Sequence, residues 1–510
     1  MATAAVFALF ASLAVYIVVS IRDARRVTTT AGFFHDAGRP WRAIISLTAF
    51  SITLGTGLVY VLAQARTTGW LIFLTPAGVL LGYWAIARFY RSLAYKADAR
   101  APNIFYLLAA RDASGAYTLS AFGRFFGLFM ALTYVLVLGF ELKVGSEIIV
   151  DSLLAEPTPA AHIGFALLIY LVVVAYTALG GLRAAVSTDV FQIGFIVLFL
   201  GALCWLLMSA EPASVAASTQ AAATDGTLAA SSAALALIMA VTTQFYSIVN
   251  VNMGSGYDPQ KQYQIFWWVG IASGAVYAGV ALLGLYLGAP EGLSRLIQAF
   301  VGSGATDLLS VLIVASLFAG MLAVLMSTLD NMTISVTQIV SENLFSLNPF
   351  KKPANSIADE QEAAEKSALW KLRIAHSLVS FSVLAFMLIC VHVFDDPFPL
   401  LLTILFAATI MSPLTAAAVW ITAHGGRSIL HRPWVAWLIF AGTMAAWSWY
   451  FMMTVRQARQ ESVWLHLAAF AIAFLIAMLD LVQAGRRSGS GEVIRGGVNG
   501  RAEAFPEKVV

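Results

Sequence analysis

Ala49-Phe50-Ser51-Ile52-Thr53-Leu54-Gly55-Thr56-Gly57 stands in the middle of an apolar segment that covers residues 43–65. A segment of that length crosses a bilayer as a helix. Two glycines and three hydroxyl side chains at its centre weaken that helix. Glycine loses the most chain entropy on ordering, and Ser and Thr compete for backbone hydrogen bonds. A turn unwound there frees backbone carbonyls near the bilayer midplane, where they can hold a cation or a solute. Small residues also let neighbouring helices pack closely, and the stretch by itself does not separate the two roles.

The rest of the chain repeats the apolar pattern. Of its 510 residues, 60% are hydrophobic and 11% charged, with a mean hydropathy of +0.82. A soluble domain carries about 25% charged residues. The apolar blocks are long and lack the strict alternation of barrel strands, so the fold class is an all-α polytopic membrane protein. About 13 helices are predicted, at 3–21, 43–65, 69–94, 119–150, 161–181, 187–209, 229–252, 263–288, 306–343, 370–393, 397–422, 432–455 and 462–484. The first block is followed by Arg22, Arg25 and Arg26 instead of a small-residue cleavage site, so it reads as a retained helix and not a signal peptide. Residues 1–485 form one transmembrane domain, and 486–510 form a polar tail expected to be disordered and cytoplasmic.

Lys and Arg alternate between loops. They cluster after the first segment, in 95–118, in 345–368, and in the tail (Arg486, Arg487), whereas the loops after segments 4, 6 and 10 carry almost none. The positive-inside rule then puts the N-terminus outside and the C-terminus in the cytoplasm. Net charge is only +3, with no basic patch for nucleic acid. Cys204 and Cys390 both fall in apolar blocks, which supports neither a disulfide nor a metal site. The seven histidines form no helix-spaced pair and no nucleophile motif is present, so an enzyme is not expected.

Polar groups at membrane depth need a reason, and three further places have them. In segment 9, Val324, Ser327, Thr328, Asn331, Ser335 and Gln338 follow helical spacing and form a polar stripe. The adjacent Ser327 and Thr328 offer hard oxygens suited to an alkali cation, although such hydroxyls also bond back to their own helix. At the junction of segments 5 and 6, Gly180-Gly181 makes a turn. Ser187 or Thr188 could then cap the next helix, with Asp189 in its first turn. In segment 4, Lys143 and Glu147 are spaced to pair, which reads as a snorkelling pair close to the outer end of the helix, and Glu141 points elsewhere.

Taken together, these segments resemble the sodium:solute symporter family. The match lies in Tyr176-Thr177…Gly180-Gly181-Leu182-x-Ala184…Thr188-Asp189-x-x-Gln192, in Met326-Ser327-Thr328-Leu329-Asp330 with Glu342 further on, and in Phe50 to Gly57. The resemblance covers about 1–485. It implies a leucine-transporter-type core of two inverted five-helix repeats, about 43–209 and 229–422. It implies sodium as the coupling ion, bound between segments 2 and 9 by the side chains of Ser327 and Thr328 and the carbonyls of Ser51, Leu54 and Val324, with Asp189 assisting. Solute contacts are expected at Asn250, Tyr246, Thr53 and Glu141. Segment 7 departs from the family pattern: it reads Tyr246-Ser247-Ile248-Val249-Asn250 and lacks the family's following Gln-Arg pair, so no known substrate transfers. The implied activity is sodium-coupled symport of a small organic solute across a bacterial-type inner (plasma) membrane, with the lipid bilayer, sodium and solute as the only partners and no obligate protein partner. The alternative is a solute-sensing membrane module that binds without net transport.

A reporter fused into 95–118 or 345–368 is expected to read as cytoplasmic, because these loops hold the clustered Lys and Arg. A periplasmic signal from either loop would contradict the topology and with it the inverted repeats.

Overall fold

The computed structural model describes residues 1–25, 27, 29, 33–34, 39–94, 110–111, 117–118, 121–209, 226–247, 249–250, 257, 259–287, 290–304, 307–344, 358–393, 398–423, 428–455 and 459–489. Helix is found in the described part of every predicted segment. Helix α1 is Ala2–Ala24. The second segment is broken: α2 (Pro40–Ser51) ends, a π-helical turn follows at Leu54–Val59, and α3 (Tyr60–Thr68) completes it. Then come α4 (Leu74–Ala94), α5 (Ala121–Leu153) and α6 (Pro159–Ser209). The second half of the core has α7 (Gly226–Tyr246), α8 (Pro259–Leu287), α9 (Pro290–Gly302), α10 (Leu308–Leu344), α11 (Ala358–Val393) and α12 (Phe398–Ala423). Helices α13 (Pro433–Val455) and α14 (Arg459–Gly489) follow. Among the described residues, nine helices are long and apolar enough to cross a membrane.

Two features mark the repeats. The first helix of each half breaks, at Ile52–Thr53 after α2 and at Ser247 after α7. The third helix is long in each, 33 residues in α5 and 37 in α10, as their over-long apolar segments predicted. Around the break, α10 packs most extensively on α6, and α4 packs on α7 and α8.

The predicted turn at Gly180-Gly181 is present. Gly181 leaves helical geometry, with φ 52° and ψ −146°, and divides α6 into 159–180 and 182–209. The helix resumes at once, so Ser187 and Thr188 sit beyond its first turn and do not cap it. Thr188 donates to Ala185 O at 2.7 Å, and Ser187 donates to Asp23 at the end of α1. Three elements were not foreseen. Helix α9 occupies a predicted loop and holds Leu154 O through Gln298 at 2.8 Å. Two-residue strands β1 (Ala110–Arg111) and β2 (Tyr117–Thr118) pair antiparallel in the loop 95–118. Helix α14 runs four residues into the predicted tail, whose remainder, 490–510, lies outside the described residues.

Gly181 is required twice over: its φ is positive, and a Cβ there would meet Phe33 O at 2.4 Å. Gly181→Ala is expected to cost on the order of 1–3 kcal/mol, seen as a lower thermal midpoint. Gly194→Ala, where a Cβ meets nothing within 4 Å, serves as the control and should not lower it.

Candidate functional site

The break in α2 is held open by other helices. Ile52 (φ −92°, ψ 89°) and Thr53 (φ −95°, ψ 147°) are extended, so the backbone around them cannot complete the helical ladder. Two helices supply missing partners, and a third adds a donor to Ala49 O, which already accepts the Ile52 N–H at 3.2 Å. Glu141 of α5 accepts the Gly55 N–H at 2.8 Å, Tyr277 of α8 donates to Ser51 O at 2.6 Å, and Ser327 of α10 donates to Ala49 O at 3.1 Å.

The Ala49 side of the break faces α10. Ser327 Oγ lies 3.1 Å from both Ala49 O and Val324 O, and Thr328 Oγ1 lies 3.2 Å from Val324 O. Two hydroxyls and two carbonyls thus converge between α2 and α10, and Val324, Ser327 and Thr328 are fully buried. This is a set of hard oxygens without a soft donor, the chemistry that suits a dehydrated alkali ion. Among the described residues no group of His, Cys, Asp and Glu could hold a metal ion, so a carboxylate cage for a divalent ion is not what these residues build. The structure brings together Val324, Ser327 and Thr328 of the predicted set and adds Ala49. Ser51 and Leu54 are not among the hydrogen-bond partners of the two hydroxyls. Ser51 turns the other way, its carbonyl to Tyr277 and its hydroxyl to Ser273.

Asp189 stands one side chain behind these oxygens. Asn331 Nδ2 donates both to Asp189 Oδ2 at 3.0 Å and to Ser327 O at 2.9 Å, and Ser46 also donates to Asp189. Asp189 Oδ1 and Asn331 Oδ1 are buried without a partner among the described residues. Asp330 is engaged separately by Tyr176 at 2.7 Å and Thr188 at 3.3 Å. Lower on the same helices, His376 bridges Thr177 (3.1 Å) and Thr337 (2.9 Å), tying α6, α10 and α11 together. Further along the stripe, Ser335 bonds back to Asn331 O at 2.8 Å, the alternative open to such hydroxyls.

The Ser51 side of the break faces a cavity of about 150 Å³. Its wall takes Ser51, Thr53 and Gly57 from the break, Tyr60 and Val61 from α3, Thr75, Val79 and Tyr83 from α4, and Thr133, Tyr134 and Val137 from α5. Helix α7 adds Met239, Thr243 and Gln244, Ser247 follows it, and Tyr277 and Met332 come from α8 and α10. Of the predicted solute residues, Thr53 lines this cavity. Asn250 does not: it is buried behind the wall and holds Gln244 by its carbonyl and side chain (both 3.2 Å) and Tyr83 (3.4 Å). Glu141, expected as a solute contact, is also behind the wall, fully buried against Gly55. The predicted Lys143–Glu147 pair forms, at 2.8 Å. The Tyr246 and Thr56 side chains lie outside the described residues.

Solved structures share this architecture. A sodium-coupled sialic acid symporter in a substrate-bound, outward-open state matches with TM-score 0.57 and 16% identity, over 95% of this chain and 98% of that one. A nucleobase-cation-symport-1 family transporter, Mhp1, in a closed conformation with bromovinylhydantoin bound, matches with TM-score 0.54 and 12% identity, over 90% of this chain and 95% of that one. This chain shares their fold. No protein-family model and no curated protein matches it. The likeness spans the whole core, so the inverted five-helix repeats implied by the sequence motifs stand, as does a multi-pass membrane protein.

Asn250→Ala frees Gln244 and Tyr83 at the cavity wall. Affinity for a bound solute is expected to fall about tenfold, ~1.4 kcal/mol, while sodium affinity measured without solute stays near that of the wild type. Equal loss of both in a folded variant would assign Asn250 a general structural role.

Proposed function

We propose that the protein is a sodium-coupled symporter of a small organic solute. The reading rests on one observation: the broken second segment brings the Ala49 carbonyl to three oxygens of α10 on one side and borders a cavity on the other. An ion on the first side and a solute on the second would each depend on the conformation of the same few backbone units. That is the condition for reciprocal coupling between two sites. The sodium-coupled sialic acid symporter of like fold supports sodium as the ion. In this reading Ser327 and Thr328 supply side-chain ligands, and Ala49 and Val324 supply carbonyls. Asp189, through Asn331, contributes negative charge that favours the cation. Ser51 and Leu54, expected as carbonyl ligands, are replaced in this assignment by Ala49, because the hydroxyl of Ser327 points there. The basic loops support an inner-membrane orientation with the N-terminus outside and the C-terminus inside.

The sodium dependence is testable without knowing the solute. Sodium should raise the thermal midpoint of the purified protein above its value in potassium at equal ionic strength. Ser327→Ala with Thr328→Val nearly conserves volume and removes two ligand oxygens. At about 1.5 kcal/mol for each hydrogen-bonding group lost to a charged partner, the sodium needed for half-maximal stabilisation should rise roughly a hundredfold. Asp189→Asn should shift it in the same direction. A double variant with unchanged sodium dependence would remove the assigned site.

A further inference from the structure

The cavity beside the break is largely apolar and carries no charged side chain among its described lining residues. No Asp, Glu, Lys, Arg or His is among its described lining residues; its polar groups are hydroxyls and the Gln244 amide. One of them is unclaimed: Thr75 Oγ1 is buried at the wall with no hydrogen-bond partner among the described residues.

The break also shows what is excluded. Where a membrane helix is interrupted, the N–H groups opening its second half are the natural seat for a solute carboxylate. Here Glu141 already holds the Gly55 N–H at 2.8 Å, and it is fully buried. Gly55 is not among the residues lining the cavity, so that donor is not offered to a solute there. No carboxylate stands on the described wall to receive a cationic group either. Size narrows the class further. An apolar cavity of about 150 Å³ takes one benzene ring, and this one has about that volume. Tyr60, Tyr83 and Tyr277 give it both aromatic faces and hydroxyl groups.

We propose that the solute is an uncharged molecule of about one ring, carrying a few hydrogen-bonding groups on an otherwise apolar body. The inference rests on taking the cavity as the solute site of the symporter.

Matched probes test it. Uracil against orotate, glucose against glucuronate, and benzamide against benzoate and benzamidinium would be added to the purified full-length protein, in sodium and in potassium, with the thermal midpoint as readout. In sodium, at least one neutral probe should raise the midpoint while its charged partners at the same concentration do not. Tighter binding of a charged probe than its neutral partner to the wild type overturns the proposal, as does a panel in which no neutral probe binds. Neutral probes that bind equally in sodium and potassium would leave the class standing and instead count against sodium coupling.

Discussion

A helix interrupted at membrane depth must find partners for the backbone groups it releases, and the rest of this structure is arranged around that need. An unsatisfied peptide group in hydrocarbon costs several kcal/mol, and three other helices contribute partners at the break in α2. Glu141 takes the Gly55 N–H, Tyr277 gives a proton to Ser51 O, and Ser327 gives one to Ala49 O. One partner comes from the first repeat and two from the second. The break is therefore also the joint between the halves. Gly57 fits the same logic: a Cβ there would meet the Tyr277 hydroxyl at 2.4 Å, so the joint closes only around glycine.

A second set of helices is cross-linked by side chains. Helices α6, α10 and α11 are bound through His376 and its two threonines, and α1 is tied to α6 through Ser187 and Asp23. Ser327 and Thr328 belong to this cross-linked set and Ala49 to the joint, so an ion seated between them would favour one relative placement of the two. The energy at stake is adequate. A sodium ion crossing 100 mV releases about 2.3 kcal/mol, and a tenfold concentration ratio adds roughly 1.4 kcal/mol. Together these sustain a several-hundred-fold solute gradient.

Much of this was legible in the sequence, and the limits have physical causes. Periodicity and composition located the helices, because burial in lipid leaves no other way to satisfy so much apolar chain. The cluster of Gly and hydroxyl residues at 51–57 marked the break, Gly180-Gly181 the kink, and the stripe on segment 9 the buried polar face. What composition does not set is phase. The chain unwinds after Ser51, and that turns the Ala49 carbonyl toward Ser327 and Ser51 toward Tyr277; moving the break by one or two residues would exchange them. Glu141 misled for a related reason, since its partner is a backbone amide 86 residues away that has a free N–H only because another helix is broken. Tyr83, Gln244 and Tyr277 form no local pattern at all, and only packing brings them to one cavity. Asn331 was visible in the stripe, but its place between Asp189 and Ser327 follows from the α6–α10 contact.

Net transport is the most direct test of the account. The protein would be reconstituted in proteoliposomes and supplied with a labelled solute that stabilises it in sodium. Under an inward sodium gradient the solute should accumulate inside above its external concentration, and a sodium ionophore should abolish the accumulation. Solute binding with no sodium-driven uptake by the folded, reconstituted protein would contradict the account and leave a sensing module in its place.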